Sequence, residues 1–288
     1  MTGPWNRRQA LQGLLSGSLL SAAQALAQNR DERSSTLSVS VVPQFPAAVL
    51  HRDWTPLLKR VSQLSGLNLS LKLHPSIPRF ESELMEGIPD FAFMNPYHAV
   101  MAAQAQAYLP VLRNTQALSG ILVVQRTSPV KSIQELDGKE LAFPAPNAFG
   151  ASLWMRALLA ERERVHITPV YVQTHSNVYR QVLRGKVVAG GGVNHTLLQE
   201  SDEVRDNLRV LFETPGVAPH PLCVHPRVPV KVRQALVDSM LQLTADTEGQ
   251  ALLKNIFMSR PVKADYARDY AALAQYKLEK YVVLEPQG

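Results

Sequence analysis

Residues 141–190 run LAFPAPNAFG ASLWMRALLA ERERVHITPV YVQTHSNVYR QVLRGKVVAG. Leu141-Ala142-Phe143 makes a short strand, and Ala148 to Ala160 follows as a helix. Ile167 to Val172 is a second strand, Asn177 to Arg184 a second helix, and Val187 to Gly190 a third strand. Strands alternating with helices at this spacing need crossover connections. That means parallel-rich sheets flanked by helices, the α/β class.

The same alternation extends outward in both directions. Leu37, Val39 and Val41 alternate with Ser38 and Ser40 in a first strand ending at Pro43. Asp53 is placed to cap a helix whose apolar face is Trp54, Leu57, Leu58, Val61 and Leu64, stopped by Gly66. Trp54 therefore reads as core. Leu69, Leu71 and Leu73 form the next strand, Asp90 to Met94 another, and Pro96 opens a helix at its favoured first position. Ile121 to Gln125 is a strand, and Leu208 to Phe212 is the last before a mainly helical tail: Val230 to Leu243, Gln250 to Phe257, and Ala264 to about Lys280. Extended segments near Ile121–Arg126 and Thr214–Val224 suit two hinge crossovers between two α/β units, with a ligand in the cleft.

The 288 residues are 45% apolar and 19% charged, enough for a proper core and too few charges for disorder. The net charge of +6 is not clustered, so nucleic acid is not the expected partner. Two of those charges, Arg7 and Arg8, precede the apolar run Ala10–Ala23 and Ala25-Leu26-Ala27. This is the form of an export signal over residues 1–27, cut after Ala27. The Asn6-Arg7-Arg8-Gln9-Ala10-Leu11 stretch partly matches the twin-arginine pattern. No cysteine follows the run, so no lipid anchor is expected, and the mature chain is expected to be soluble in a periplasm.

Six segments, in order, resemble the phosphate/phosphite/phosphonate-binding periplasmic proteins of ABC importers. They are Val41-Val42-Pro43-Gln44, Asp53-Trp54-Thr55-Pro56-Leu57, Asp90 to Tyr97, Leu136 to Phe143, Thr174 to Tyr179, and Val182 to Val187. The resemblance implies the type II periplasmic binding protein fold, with lobes of about 37–124 plus 222–288 and 125–221. It further implies capture of a small anionic ligand without catalysis, no cofactor, a monomer, and an inner-membrane ABC permease as partner. A sensing subunit for a membrane histidine kinase is the alternative role for the same fold.

The family's oxyanion lies at helix N-termini, whose unpaired N–H groups and dipole favour negative charge. Carried over residue by residue, the ligand set is Phe45 after the first strand, Tyr97, and Asn147, Ala148, Phe149, Gly150 and Ser152 at a second helix start. His175, Ser176 and Asn177 open the third, and Asn194 and His195 lie in the Gly-rich loop beyond it. This chain departs from the family by offering few hydroxyls at 147–152, and its 191–196 loop has no carboxylate to grip an ammonium group. The loops carry no Lys or Arg, so neutral donors at Ala148–Ala151 and Asn177–Val178 are expected to hold the anion. A protonated His175 would make binding weaken as pH rises through about 6.5.

Other chemistry finds little support. His220, Cys223 and His225 place three potential metal ligands within six residues, but alternation puts His220 on the opposite face from the other two. A buried cysteine flanked by turn histidines is the expected arrangement. No His-Glu-x-x-His run, nucleophile elbow or phosphate-cradling Gly-Lys loop occurs.

Overall fold

A computed structural model describes residues 36–276 and 278–283; the expected leader at 1–27 and the lead-in to Ser35 lie outside the described residues. Two mixed sheets organise the chain. In the first, β1 (Leu37–Val41), β2 (Leu69–Lys72) and β3 (Phe91–Phe93) pair in parallel. β4 (Leu109–Asn114), β10 (Leu222–Val224) and β11 (Pro261–Lys263) extend it antiparallel, giving the order β11-β4-β10-β3-β1-β2. In the second, β5 (Gly120–Gln125), β6 (Glu140–Phe143), β7 (Thr168–Tyr171), β8 (Ala189–Val193) and β9 (Leu208–Glu213) take the order β7-β6-β8-β5-β9. The parallel pairs are those joined through helices, while β5 runs antiparallel to both β8 and β9.

Helices α1 (Ala47–Ser65), α2 (Ile77–Met85) and α3 (Pro96–Gln106) belong to the first unit. α4 (Trp154–Ala157) is a single α-helical turn between two π-helical turns, Phe149–Leu153 and Leu158–Arg162. α5 (His175–Leu183), α6 (Asn194–Leu198) and α7 (Asp202–Asp206) complete the second unit. α8 (Val230–Gln242), α9 (Thr247–Asn255) and α10 (Tyr266–Asp269) return to the first. Among the described residues no helix is long and apolar enough to cross a membrane.

Several boundaries differ from the sequence expectation for identifiable reasons. α1 begins at Ala47, not after Asp53, because Pro46 presents its carbonyl to the N–H groups of Val49 and Leu50 at 2.9 and 3.2 Å. Asp53 is then buried within the helix and binds Arg52 at 2.7 Å. Gly66 ends the helix as expected, at φ 70° with its N–H on the Ser62 carbonyl. The strand expected at 121–125 is hydrogen-bonded within the second sheet, so the chain leaves the first sheet at 115–119 and returns at 214–221. These two crossings pair with each other through Leu118 and Val217, whose reciprocal N–H···O bonds measure 2.9 and 3.0 Å.

Gly191 and Gly192, expected to lie in a loop past a strand ending at Gly190, instead join Gly190 in the middle of β8. A Cβ on Gly191 would overlap the Ala151 carbonyl oxygen and the Phe143 ring. The missing side chains let the start of the α4 region settle directly on the sheet. The long C-terminal helix expected over Ala264–Lys280 is instead α10 followed by 3₁₀ turns at Ala271–Tyr276 and Leu278–Tyr281. Tyr270, Leu273 and Tyr276 recur every third residue, which aligns on a 3₁₀ turn and not on an α-helix. Tyr270 is fully buried with its hydroxyl on the Pro219 carbonyl at 2.8 Å.

The first core does not stop at the first sheet. It continues through Ala148, Phe149, Leu153 and Trp154 of the second unit, while two smaller clusters cover the faces of the second sheet. Phe149 stacks on Trp154 at 5.3 Å, and Trp154 meets Tyr276 of the C-terminal segment at 5.5 Å.

Candidate functional site

Three helix starts face the junction of the two sheets. At the first, the Asn95 side chain accepts the His98 N–H at 2.8 Å, and its amide approaches the Asn147 carbonyl at 3.4 Å across the junction. At the second, the Asn147 amide donates to Glu81 at 2.9 Å and to the Val283 carbonyl at 3.0 Å, while its oxygen accepts the Val283 N–H at 3.0 Å. Glu81 also holds His98 at 2.7 Å. Ser152 is fully buried and accepts from Arg156 at 3.2 Å. Tyr97 is buried in the same core, and burial raises its phenol pKa, with Glu279 and Glu81 adding to the effect. Tyr97, Asn147, Ala148, Phe149, Gly150 and Ser152 thus pack into a closed seam and line neither of the two cavities described next.

The third start, that of α5, is open. Thr174 caps it by accepting the Asn177 N–H at 3.2 Å, and its carbonyl takes the Val178 N–H. The amides expected to be free, Asn177 and Val178, are therefore occupied. Those of His175 and Ser176 have no partner among the described residues. Ser176 and Asn177 reach a cavity of about 430 Å³ between the sheets, walled on the other side by Phe45, Trp54, Phe93 and Phe257.

Arg180 shares their helix face, three and four residues on, and lines the same cavity. Cations are thus present after all, supplied from the helix body and not from the loops. Asp53 and Glu200 also line this cavity, the first engaged by Arg52 and the second accepting from the Ser176 hydroxyl. Arg180 has no carboxylate partner among the described residues.

A second cavity, of about 280 Å³, contains Asn194 and His195 of the expected set. It shares Gln44, Phe93, Gln199 and Phe257 with the first. His195 lies 4.5 Å from the Phe257 ring and 6.0 Å from His220. His220 bonds to Gln44 and stacks on Phe93 at 5.7 Å.

His175 sits behind this wall, 3.3 Å from the Thr196 hydroxyl, and lines neither cavity. Burial holds these imidazoles neutral. The pKa of His175 falls to about 3, with His195 contributing, that of His195 to about 4, and that of His220 well below the usual range.

His220, Gln44, Arg180 and Phe257 are the residues that sequence reasoning missed. Arg180 carried a signal, its helical spacing from Ser176. His220 carried a weaker one, its alternation against Cys223. Cys223 is fully buried and burial raises its thiol pKa, while His225 turns to the Tyr108 edge at 5.0 Å. The three do not converge, and no metal-holding cluster occurs among the described residues.

A family model described as "ABC transporter, phosphonate, periplasmic substrate-binding protein" matches residues 39–270. No curated protein sequence matches the chain significantly. Among solved structures, PhnD1 from Prochlorococcus marinus in complex with methylphosphonate superposes with a TM-score of 0.76 at 15% identity, covering 85% of this chain and 98% of that one. A binding protein component of an ABC phosphonate transporter from Pseudomonas aeruginosa gives 0.74 at 14% identity, covering 85% and 86%. A Xanthomonas citri protein bound to ATP gives 0.71 at 19% identity, covering 87% and 100%. At these identities the structural matches speak for the two-lobed fold.

Proposed function

The chain belongs to the phosphonate periplasmic substrate-binding proteins of ABC transporters, and on that footing we propose that it captures a small phosphorus oxyanion between its two sheets and delivers it to an inner-membrane permease. Binding and hand-over, with no chemical step, is the role proposed, acting as a monomer. The 1–27 leader would route it to the periplasm by the twin-arginine pathway, and material beginning at Gln28 is the form to assay.

The observation that carries this reading is the open first turn of α5. It presents to one cavity the Ser176 amide, which has no partner among the described residues, the Asn177 side chain, whose amide also donates to the Val172 carbonyl at 2.9 Å, and the Arg180 guanidinium. Hydrogen bonds to a charged group contribute about 1.5–3 kcal/mol each, and a helix end about 0.3–2 kcal/mol. Micromolar binding needs about 8 kcal/mol net, which three or four such contacts can reach.

Thermal denaturation against methylphosphonate, phosphite, phosphate, sulfate and acetate tests the proposal, since binding to the folded state raises its apparent stability. Phosphorus oxyanions should raise Tm, and Arg180→Gln should weaken their binding about tenfold, close to 1.4 kcal/mol, without lowering Tm in the unliganded protein. A Tm that responds only to sulfate or acetate would overturn it.

A further inference from the structure

We propose that the smaller cavity receives a second part of the same ligand, so that the protein selects a phosphorus oxyanion whose organic substituent is flat and uncharged. The inference rests on the oxyanion reading above and adds the nature of the substituent. The two cavities meet at Gln44, Phe93, Gln199 and Phe257, which line both. A molecule anchored at the α5 start therefore has a continuous path into the smaller space. A five-heavy-atom anion needs on the order of 100 Å³, given that each water in the liquid takes about 30 Å³. The larger cavity alone exceeds that several times over, at about 430 Å³.

The chemistry of the two spaces differs. The larger holds four charged side chains, whereas the smaller is lined by carboxamides and imidazoles and has no carboxylate. Gln116 and the shared Gln199 each offer both a donor and an acceptor, whereas Asn114 accepts from Thr115 and Arg260, Asn194 bonds Ala117 and His195, and Gln44 bonds His220. His195, kept neutral by burial, adds one of each, while His220, also neutral, bonds to Gln44. Its single cation, Lys254, stands at an exposed position on α9. An ammonium group placed here would lose its water with no counter-charge in return. A flat neutral group would meet ring faces and paired donors and acceptors.

Phe257 adds an independent observation. It sits where the two cavities meet and has a left-handed backbone, φ 59°, directly after the end of α9. That conformation is unfavourable for a bulky side chain and is the usual place for glycine. Backbone strain of this kind persists where surrounding contacts enforce it. Here the ring is held by a stacked Phe45 at 5.6 Å and by His195 at 4.5 Å. Its position makes Phe257 the flat surface against which a planar substituent would lie.

Titration calorimetry of protein beginning at Gln28, with methylphosphonate, benzylphosphonate, 2-aminoethylphosphonate and phosphonoacetate, tests the inference. Benzylphosphonate should bind at least about tenfold more tightly than methylphosphonate, and neither charged substituent should improve on methyl. Leu198→Trp, at an exposed position bordering only the smaller cavity, should remove the benzyl advantage and leave methylphosphonate binding unchanged.

Gln116→Glu, also exposed, should shift preference towards the aminoethyl compound. Equal binding of methyl- and benzylphosphonate would overturn the inference while sparing the oxyanion reading. Tighter aminoethyl binding by the unaltered protein would overturn it by placing the substituent beside Glu200. Tighter phosphonoacetate binding would overturn it in favour of Lys254. Failure of all four to bind would overturn the oxyanion reading and this inference together.

Discussion

An imidazole whose pKa is pushed down to about 3 cannot act as a charged donor near neutrality, and this decides the role of His175. Its sequence position invites a protonated ligand group. Its burial, with His195 reinforcing the effect, makes it a neutral partner of Thr196. Oxyanion affinity should therefore stay flat from about pH 5.5 to 8 as far as this residue is concerned, when measured by calorimetry with a ligand of fixed charge. A decline with rising pH that disappears in His175→Ala would contradict the assignment.

The folding consequence has a definite sign. The folded-state pKa lies below the unfolded value, so protonation favours unfolding. Stability is complete above about pH 6.5 and is lost as pH falls towards 3, with about 2 kcal/mol gone by pH 5 from this residue. Urea unfolding at about pH 5 and 7.5 should show that slope, and His175→Asn, which keeps a hydrogen-bonding atom near Thr196, should reduce it. His195, lowered to about 4, acts in the same direction.

Elements in the second unit are placed by what their residues lack. Gly191 has no side chain, so the Ala151 carbonyl can rest on β8, and Gly120 makes the same room for the Gly150 carbonyl on β5. The start of the α4 region is thereby drawn down onto the sheet. Gly66 makes an informative contrast, because its φ of 70° suits glycine while nothing surrounds its Cβ position. Gly66→Ala should cost about 1 kcal/mol from backbone strain alone. Gly191→Ala should cost about 3 kcal/mol or more, because backbone and a buried ring must move apart. Denaturant titration of the two variants distinguishes the mechanisms, and equal costs would mean that the close approach is absent.

On the scale of the whole molecule, the chain crosses between the two units twice, as expected, and a third segment bridges them by contact. The crossings at 115–119 and 214–221 form a paired ribbon through Leu118 and Val217. The third is the C-terminal segment. Its Tyr281 carbonyl takes the Arg156 guanidinium at 2.7 Å, and its Val283 backbone closes on Asn147. Asn147 is the node of this contact, because it also reaches Glu81 in the first unit. Asn147→Ala would leave the half-buried Glu81 carboxylate with His98 alone and the Val283 groups short of partners, a loss of about 1–3 kcal/mol in stability. Small-angle scattering should show a larger radius of gyration for this variant as the units separate. An unchanged radius with unchanged stability would remove the node.

The sequence by itself determined the α/β alternation, the Pro96 and Gly66 boundaries, the core position of Trp54 and the family. Each depends on local periodicity, on caps, or on motifs that survive as short ordered segments. Of the expected ligand residues, Phe45, Ser176, Asn177, Asn194 and His195 line the two cavities, where strand ends and helix starts converge. The tertiary structure alone decided the rest. Whether Tyr97, Asn147 and Ser152 face a ligand or a packed seam depends on how closely two units approach, and no spacing along one chain encodes that distance. The neutrality of His175 arises from burial by residues distant in sequence. The partnership of Gln44, Phe257 and His220 joins three segments up to about two hundred residues apart, and such proximity is a property of packing, which acts through space and not along the chain.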